Sequence, residues 1–204
     1  MRSRIAAAAA RIMAEDGIDD FALAKRKAAR TLGATDTHAM PGNEEVEQAL
    51  RAYQALYQGE EQRERLDELR EAAAELLRAL ASFRPYLTGP VLAGTAGRYS
   101  GIELQLFTDD TKGVELFFVN QGLTTEGREH RYFVGDQPRS ASIIRLEWND
   151  LPVTMAVLAA TDERSVLKTT IGGRPIERAG LAAVEALLAS SARLGGSLYN
   201  PAEV

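Results

Sequence analysis

Cysteine is absent from the 204-residue chain. That excludes a disulfide framework, a thiolate metal site and a cysteine nucleophile. Histidine is nearly absent. His38 and His130 each stand alone in a polar stretch, with no second ligand at metal spacing. No Gly-x-Ser-x-Gly elbow occurs, so a serine hydrolase of that type is not indicated. No apolar run approaches the roughly 20 residues of a membrane-spanning helix. Aromatic residues make up only 6% of the chain, and the single tryptophan, Trp148, precedes a turn, where it reads as a half-buried packing residue. The net charge of -5 argues against broad, unspecific nucleic-acid binding and leaves room only for a local basic face. The start, Met1-Arg2-Ser3-Arg4-Ile5 and then alanines, imitates a signal peptide. Arg11, Glu15 and Asp16 interrupt it, so an amphipathic helix and a cytoplasmic protein are expected.

What is present is an ordinary globular composition, 45% hydrophobic and 26% charged. The length suits one domain, or one domain with a helical extension. Residues 1–82 read as helical. Ile5, Ala8, Ala9, Ile12 and Met13 share one face of a first helix that Gly17 ends. Asp19 or Asp20 caps a second, with Phe21, Ala24, Ala28 and Leu32 inward and Gly33 as its stop. Residues 34–43 have loop chemistry. A third helix begins near Asn43 or Glu44 and runs to Gly59. A fourth carries Leu66, Leu69, Ala73, Leu76 and Leu80 as an apolar seam. Lys25, Arg26, Lys27 and Arg30 form a basic cluster that reads as a solvated helix face. The first two helices resemble those of tetracycline-repressor-type regulators. Residues 34–41 do not supply a recognition helix, and DNA is not expected as a partner.

The texture changes at Pro85, where glycine, threonine and aromatics increase. Ile102, Leu104 and Leu106 alternate along one strand. Val114, Leu116 and Phe118 alternate along another, after turn residues 109–113. Further strands are expected around Ser142–Glu147 and Pro152–Leu158. Residues 161–175 read as loop, and a last helix begins near Ile176 and buries Leu181, Val184, Leu187 and Leu188. The expectation is an α+β protein: a helical N-terminal layer over 1–82, then a mixed-sheet domain over 83–204 with a C-terminal helix.

The densest signal runs from Leu87 to Phe107. An apolar strand leads into Gly89-Pro90, and after a small-residue segment Ser100-Gly101-Ile102-Glu103-Leu104 opens the next strand. This resembles the polymerase-β-like nucleotidyltransferase superfamily. There a Gly-Ser turn approaches the triphosphate, and two carboxylates, two residues apart on a strand, share magnesium with a third acid on a later strand. The resemblance implies Glu103 as catalytic and metal-binding residue, and Gly89, Gly94, Arg98 and Ser100 as nucleotide-binding residues. Three departures accompany it. Pro90 removes a hydroxyl and an N–H, Gly101 replaces the first carboxylate, and Thr154 stands where the third acid belongs. Magnesium binding is therefore expected to be weak, unless Glu115 meets Glu103 and adds a carboxylate.

A second resemblance overlaps the first. Gly94-Thr95-Ala96-Gly97-Arg98-Tyr99-Ser100 is similar to the phosphate loop of muramyl amino-acid ligases, of the UDP-N-acetylmuramate–alanine ligase kind. Arg98 replaces the lysine, Tyr99 replaces the magnesium-binding hydroxyl, and a strand follows instead of a helix. Four readings follow. The leading one is a degenerate nucleotidyltransferase-like protein that binds nucleotide with little or no transfer. The others are an active metal-dependent transferase using Glu103, a regulatory module whose helical region holds a protein partner, and, least favoured, the ligase.

Overall fold

The computed structural model describes residues 1–18, 20–34, 39–57, 59–170 and 173–196. The chain forms two compact units, residues 1–66 with 93–100, and residues 67–92 with 101–204.

The first unit is built on α1 (Arg2–Asp16), α2 (Phe21–Thr31), α3 (Asn43–Tyr57) and the start of α4 (Gly59–Ala79). Alanine-rich α1 has high helix propensity and a face of small residues, so α2 and α3 both approach it closely. Ile5, Ala9, Met13, Ala24, Ala28, Val46 and Leu50 form its core. Gly17 ends α1 at φ 66, and Asp20 caps α2 by accepting from the N–H groups of Ala22 and Leu23. Asp19 and residues 35–38, His38 among them, lie outside the described residues, as do Gln58 and Gly172.

The second unit holds a mixed sheet in the order β1-β2-β5-β4-β3-β6. The strands are β1 (Pro85–Thr88), β2 (Ile102–Phe107), β3 (Glu126–Val134), β4 (Gln137–Trp148), β5 (Leu151–Leu158) and β6 (Leu167–Lys168). β2 and β5 run parallel, and every other pairing is antiparallel. Leu87, Ile102, Leu104, Leu106, Val153, Met155, Ile144 and Leu146 share one face by register, and all are buried. This unit also contains α5 (Gly89–Ala93), α6 (Thr111–Val119), α7 (Leu181–Gly196) and most of α4. The opposite face is apolar at one end, where Phe107, Tyr132, Ala141 and Leu158 cluster. At the other end it carries Glu103 and Thr154. The class is α+β with a mixed sheet and a C-terminal helix, as the sequence suggested.

Several elements differ from expectation. Residues 114–118 are helical, within α6. Asp110 caps it by accepting from the Gly113 N–H at 2.8 Å, Val114 and Phe118 are buried one turn apart, and Leu116 faces solvent. Alternation at 114, 116 and 118 also contains the i, i+4 pair of a helix, and the cap decides between them. β3 was not anticipated, because residues 126–131 are exposed on both faces and show no alternation. The helical seam is wider than expected. Leu66, Leu69, Ala73, Leu76 and Leu80 are buried, and so are Arg70, Ala72, Ala74 and Leu77. In its second part α4 has partners on two sides: Arg70 donates to the Val91 carbonyl of α5, while Arg78 pairs with Glu185 of α7. The last helix starts at Leu181, because Ala179 is held by backbone pairing with Leu87. Of its expected inward residues Val184 is fully buried, and Leu181, Leu187 and Leu188 are half-buried. Trp148 is half-buried with its ring edge-on to Phe118.

Candidate functional site

β1 ends at Thr88, which lies opposite Glu103 of β2. Glu103 in turn lies beside Thr154 of parallel β5. Paired residues on adjacent strands share a face, so these three side chains stand in one row. The next residue, Gly89, adopts φ 71 and turns the chain into α5. The Glu103 carboxylate lies over it, and a Cβ at residue 89 would collide with that carboxylate. The Thr88 hydroxyl donates to the Glu177 carbonyl at 2.8 Å. Glycine is required at 101 for a different reason. A Cβ there would strike the carbonyl oxygen of Pro152, at the start of β5. The space beside position 101, where the resemblance would put a first carboxylate, is filled by backbone.

Across β1, β2, β5 and β4 the row on this face therefore runs Thr88, Glu103, Thr154 and Arg145, with Glu103 its one carboxylate. A hard cation such as magnesium, and two of them above all, calls for several carboxylate or phosphate oxygens. The corner does not fit a two-magnesium centre. Glu115 does not supply the deficit, because it lies on α6 with its carboxylate near Gly127 of β3, three strands along the sheet from β2. Among the described residues, no three His, Cys, Asp or Glu side chains gather as a metal-binding group.

Gly94, Arg98 and Ser100 belong to the first unit, whereas Gly89 and Glu103 belong to the second. The Gln62 side-chain amide donates to the carbonyls of Gly94 and Ala96 at 3.2 and 3.1 Å, and that of Gln54 donates to Thr95 at 3.0 Å. The Ser100 hydroxyl accepts from the Gly97 N–H at 3.0 Å. Arg98 pairs with Glu61 at 2.6 Å, and both side chains are largely exposed. Tyr99 lies against Gly17, where a Cβ would meet its ring. Helix amides thus bind the loop through its carbonyls, the opposite polarity from a loop that cradles phosphate with N–H groups.

The sequence reading missed two polar constellations of the second unit. In one, the Tyr132 hydroxyl donates to Asp162 at 2.6 Å, with Arg139 at 3.9 Å from the same carboxylate oxygen. Both Tyr132 and Asp162 are buried. Burial, and then the hydrogen bond to Asp162, push the Tyr132 phenol well above its ordinary value. The other is an open cleft of about 230 Å³ at the carboxyl ends of β2 and β5, lined by Thr108, Asp109, Thr111, Glu129, Ser140 and Ser142 among others. Both depend on β3. Its one sequence signal is the two-residue Gly135-Asp136 turn, with Gly135 at φ 59.

The comparisons identify no relatives: no family model matches the chain, and neither curated proteins nor solved structures give a match. Among the described residues, no helix is long and apolar enough to cross a membrane.

Proposed function

We propose that the chain is a nucleotidyltransferase-like protein that has lost metal-dependent transfer and retains, at most, weak nucleotide binding. One observation carries this reading. The Glu103 carboxylate lies over Gly89 and beside Thr154 at one corner of the sheet, and the positions that the resemblance gives to two further carboxylates are Thr154 itself and Gly101, which packs against Pro152. A single carboxylate supplies neither the ligands for two magnesium ions nor a base oriented by them. Arg98, exposed though paired with Glu61, is a cation from which phosphate can be contacted, by exchange of one anion for another.

An assay for transfer from ATP, GTP, CTP and UTP tests this. Incorporation is expected to remain at background for the unaltered chain and for Glu103→Gln alike. Magnesium-dependent transfer that Glu103→Gln abolishes would restore the active-enzyme reading. A protein-interaction role for the helical region is favoured separately by Leu56 and Tyr57, which stand 73% and 67% exposed near the end of α3. Replacing both with serine is expected to leave nucleotide binding unchanged and to weaken any association made through α3.

A further inference from the structure

Among the described residues, strand pairing along the outer edge of β3 is confined to Phe133 and Val134, which pair with β6. Residues 126–131 are exposed, and among the described residues their strand pairing is with β4 alone. The phase of the hairpin sets which of them present backbone groups outward. Val134 and Gln137 flank the two-residue turn, so they form a mutually hydrogen-bonded pair. Alternation then directs the N–H and C=O of Tyr132, His130 and Arg128 toward β4. Those of Phe133, Arg131, Glu129 and Gly127 point outward, and Phe133 is where β6 docks.

A second copy can add to this edge only antiparallel about a two-fold axis that sets outward residues against outward residues. Of the axes that fall within the free stretch, one at 127 pairs Glu126 with Arg128 but overlaps β3 only over residues 126–128, and one at 131 opposes Arg131 to itself and needs Phe133, which β6 already holds. An axis at 128 opposes Arg128 to itself, and one at 129 opposes Glu129 to itself. Like charges directly opposite are destabilising. An axis at 130 instead opposes Glu129 to Arg131 of the copy, twice, and sets Arg128 beside Tyr132. Its overlap runs from 128 to 132, along the edge that β6 leaves open. The copy then leaves the edge at Gly127, a glycine. A charged edge strand ordinarily discourages pairing. Here the charges reject the registers on either side of 130, and of the matched registers the one at 130 has the longer overlap.

We propose that β3 is a self-association interface, in which two copies pair antiparallel about His130 with Glu129 and Arg131 in reciprocal ion pairs. The contact is short, roughly four backbone hydrogen bonds, and places the dimer at the weak, reversible end of the range for specific interfaces.

Sedimentation velocity of the full chain, from micromolar to millimolar, is expected to show a reversible monomer–dimer equilibrium. Glu129→Arg alone and Arg131→Glu alone are each expected to be monomeric, with unchanged circular dichroism because both side chains are exposed. An equimolar mixture of the two variants is expected to dimerise again, since each then faces the opposite charge. A chain that stays monomeric throughout, single variants that associate as the unaltered chain does, or a mixture that stays monomeric would each overturn the proposal.

Discussion

At Gly89 two constraints fall on one residue. Its φ of 71 favours glycine, and the Glu103 carboxylate occupies the space a side chain would need. Gly89→Ala is expected to cost about 1–3 kcal/mol in denaturant unfolding. Adding Glu103→Ala should recover only the steric part, leaving the backbone strain. Gly101 is constrained by packing alone, and Gly101→Asp is expected to destabilise the sheet through Pro152 without creating magnesium affinity. Tyr132 makes a separate prediction. Its raised phenol pKa means that the folded state favours the protonated form. The associated stability is present below the ordinary phenol value near ~10 and declines as pH rises above it. Tyr132→Phe is expected to cost about 1–3 kcal/mol at neutral pH, by depriving buried Asp162 of its donor. It should also flatten the loss of stability measured as pH rises above about 10.

Elements whose apolar pattern is long and one-sided were legible in the sequence. α4 is the clearest, and Leu69→Ala or Leu76→Ala, both fully buried, is expected to cost about 2–5 kcal/mol by thermal unfolding. β2 and β5 were legible because they are apolar strands bounded by glycine, proline and turn residues. α6 was not legible, because nine residues with apolar positions two apart satisfy both periods, and the deciding Asp110 looked like turn chemistry. Asp110→Ala is expected to cost about 1 kcal/mol and to fray α6 first, a loss that amide exchange at Val114 and Phe118 would report. β3 was invisible for a different reason. A strand with both faces wet has no alternation to read, and its only mark is the turn that follows it. Of the site, the two strands that carry Glu103 and Thr154 were legible as apolar runs, and β5 lies beside β2 with those two residues in register. The division of the five expected residues between two units was not, because chain proximity around residues 89–103 says nothing of which helices the intervening loop joins.

For the molecule as a whole, the proposed function makes the corner of Gly89, Glu103 and Thr154 a nucleotidyltransferase-like frame two acids short of a metal site, at positions 101 and 154. Of the two, position 154 is the informative place to add an acid, because position 101 is closed by the Pro152 carbonyl. Position 154 is half-buried, shares a face with Glu103, and stands beside it in parallel register. Calorimetric titration of magnesium, in the presence of ATP, into the unaltered chain and into Thr154→Asp tests the claim most directly. The expected result is little or no magnesium-dependent heat from the unaltered chain, and affinity at least ~10-fold higher in the variant, equivalent to about 1.4 kcal/mol. Adding Glu103→Gln to that variant should remove the gain. Indistinguishable titrations of the unaltered chain and Thr154→Asp would contradict the account, and so would a gain that survives Glu103→Gln.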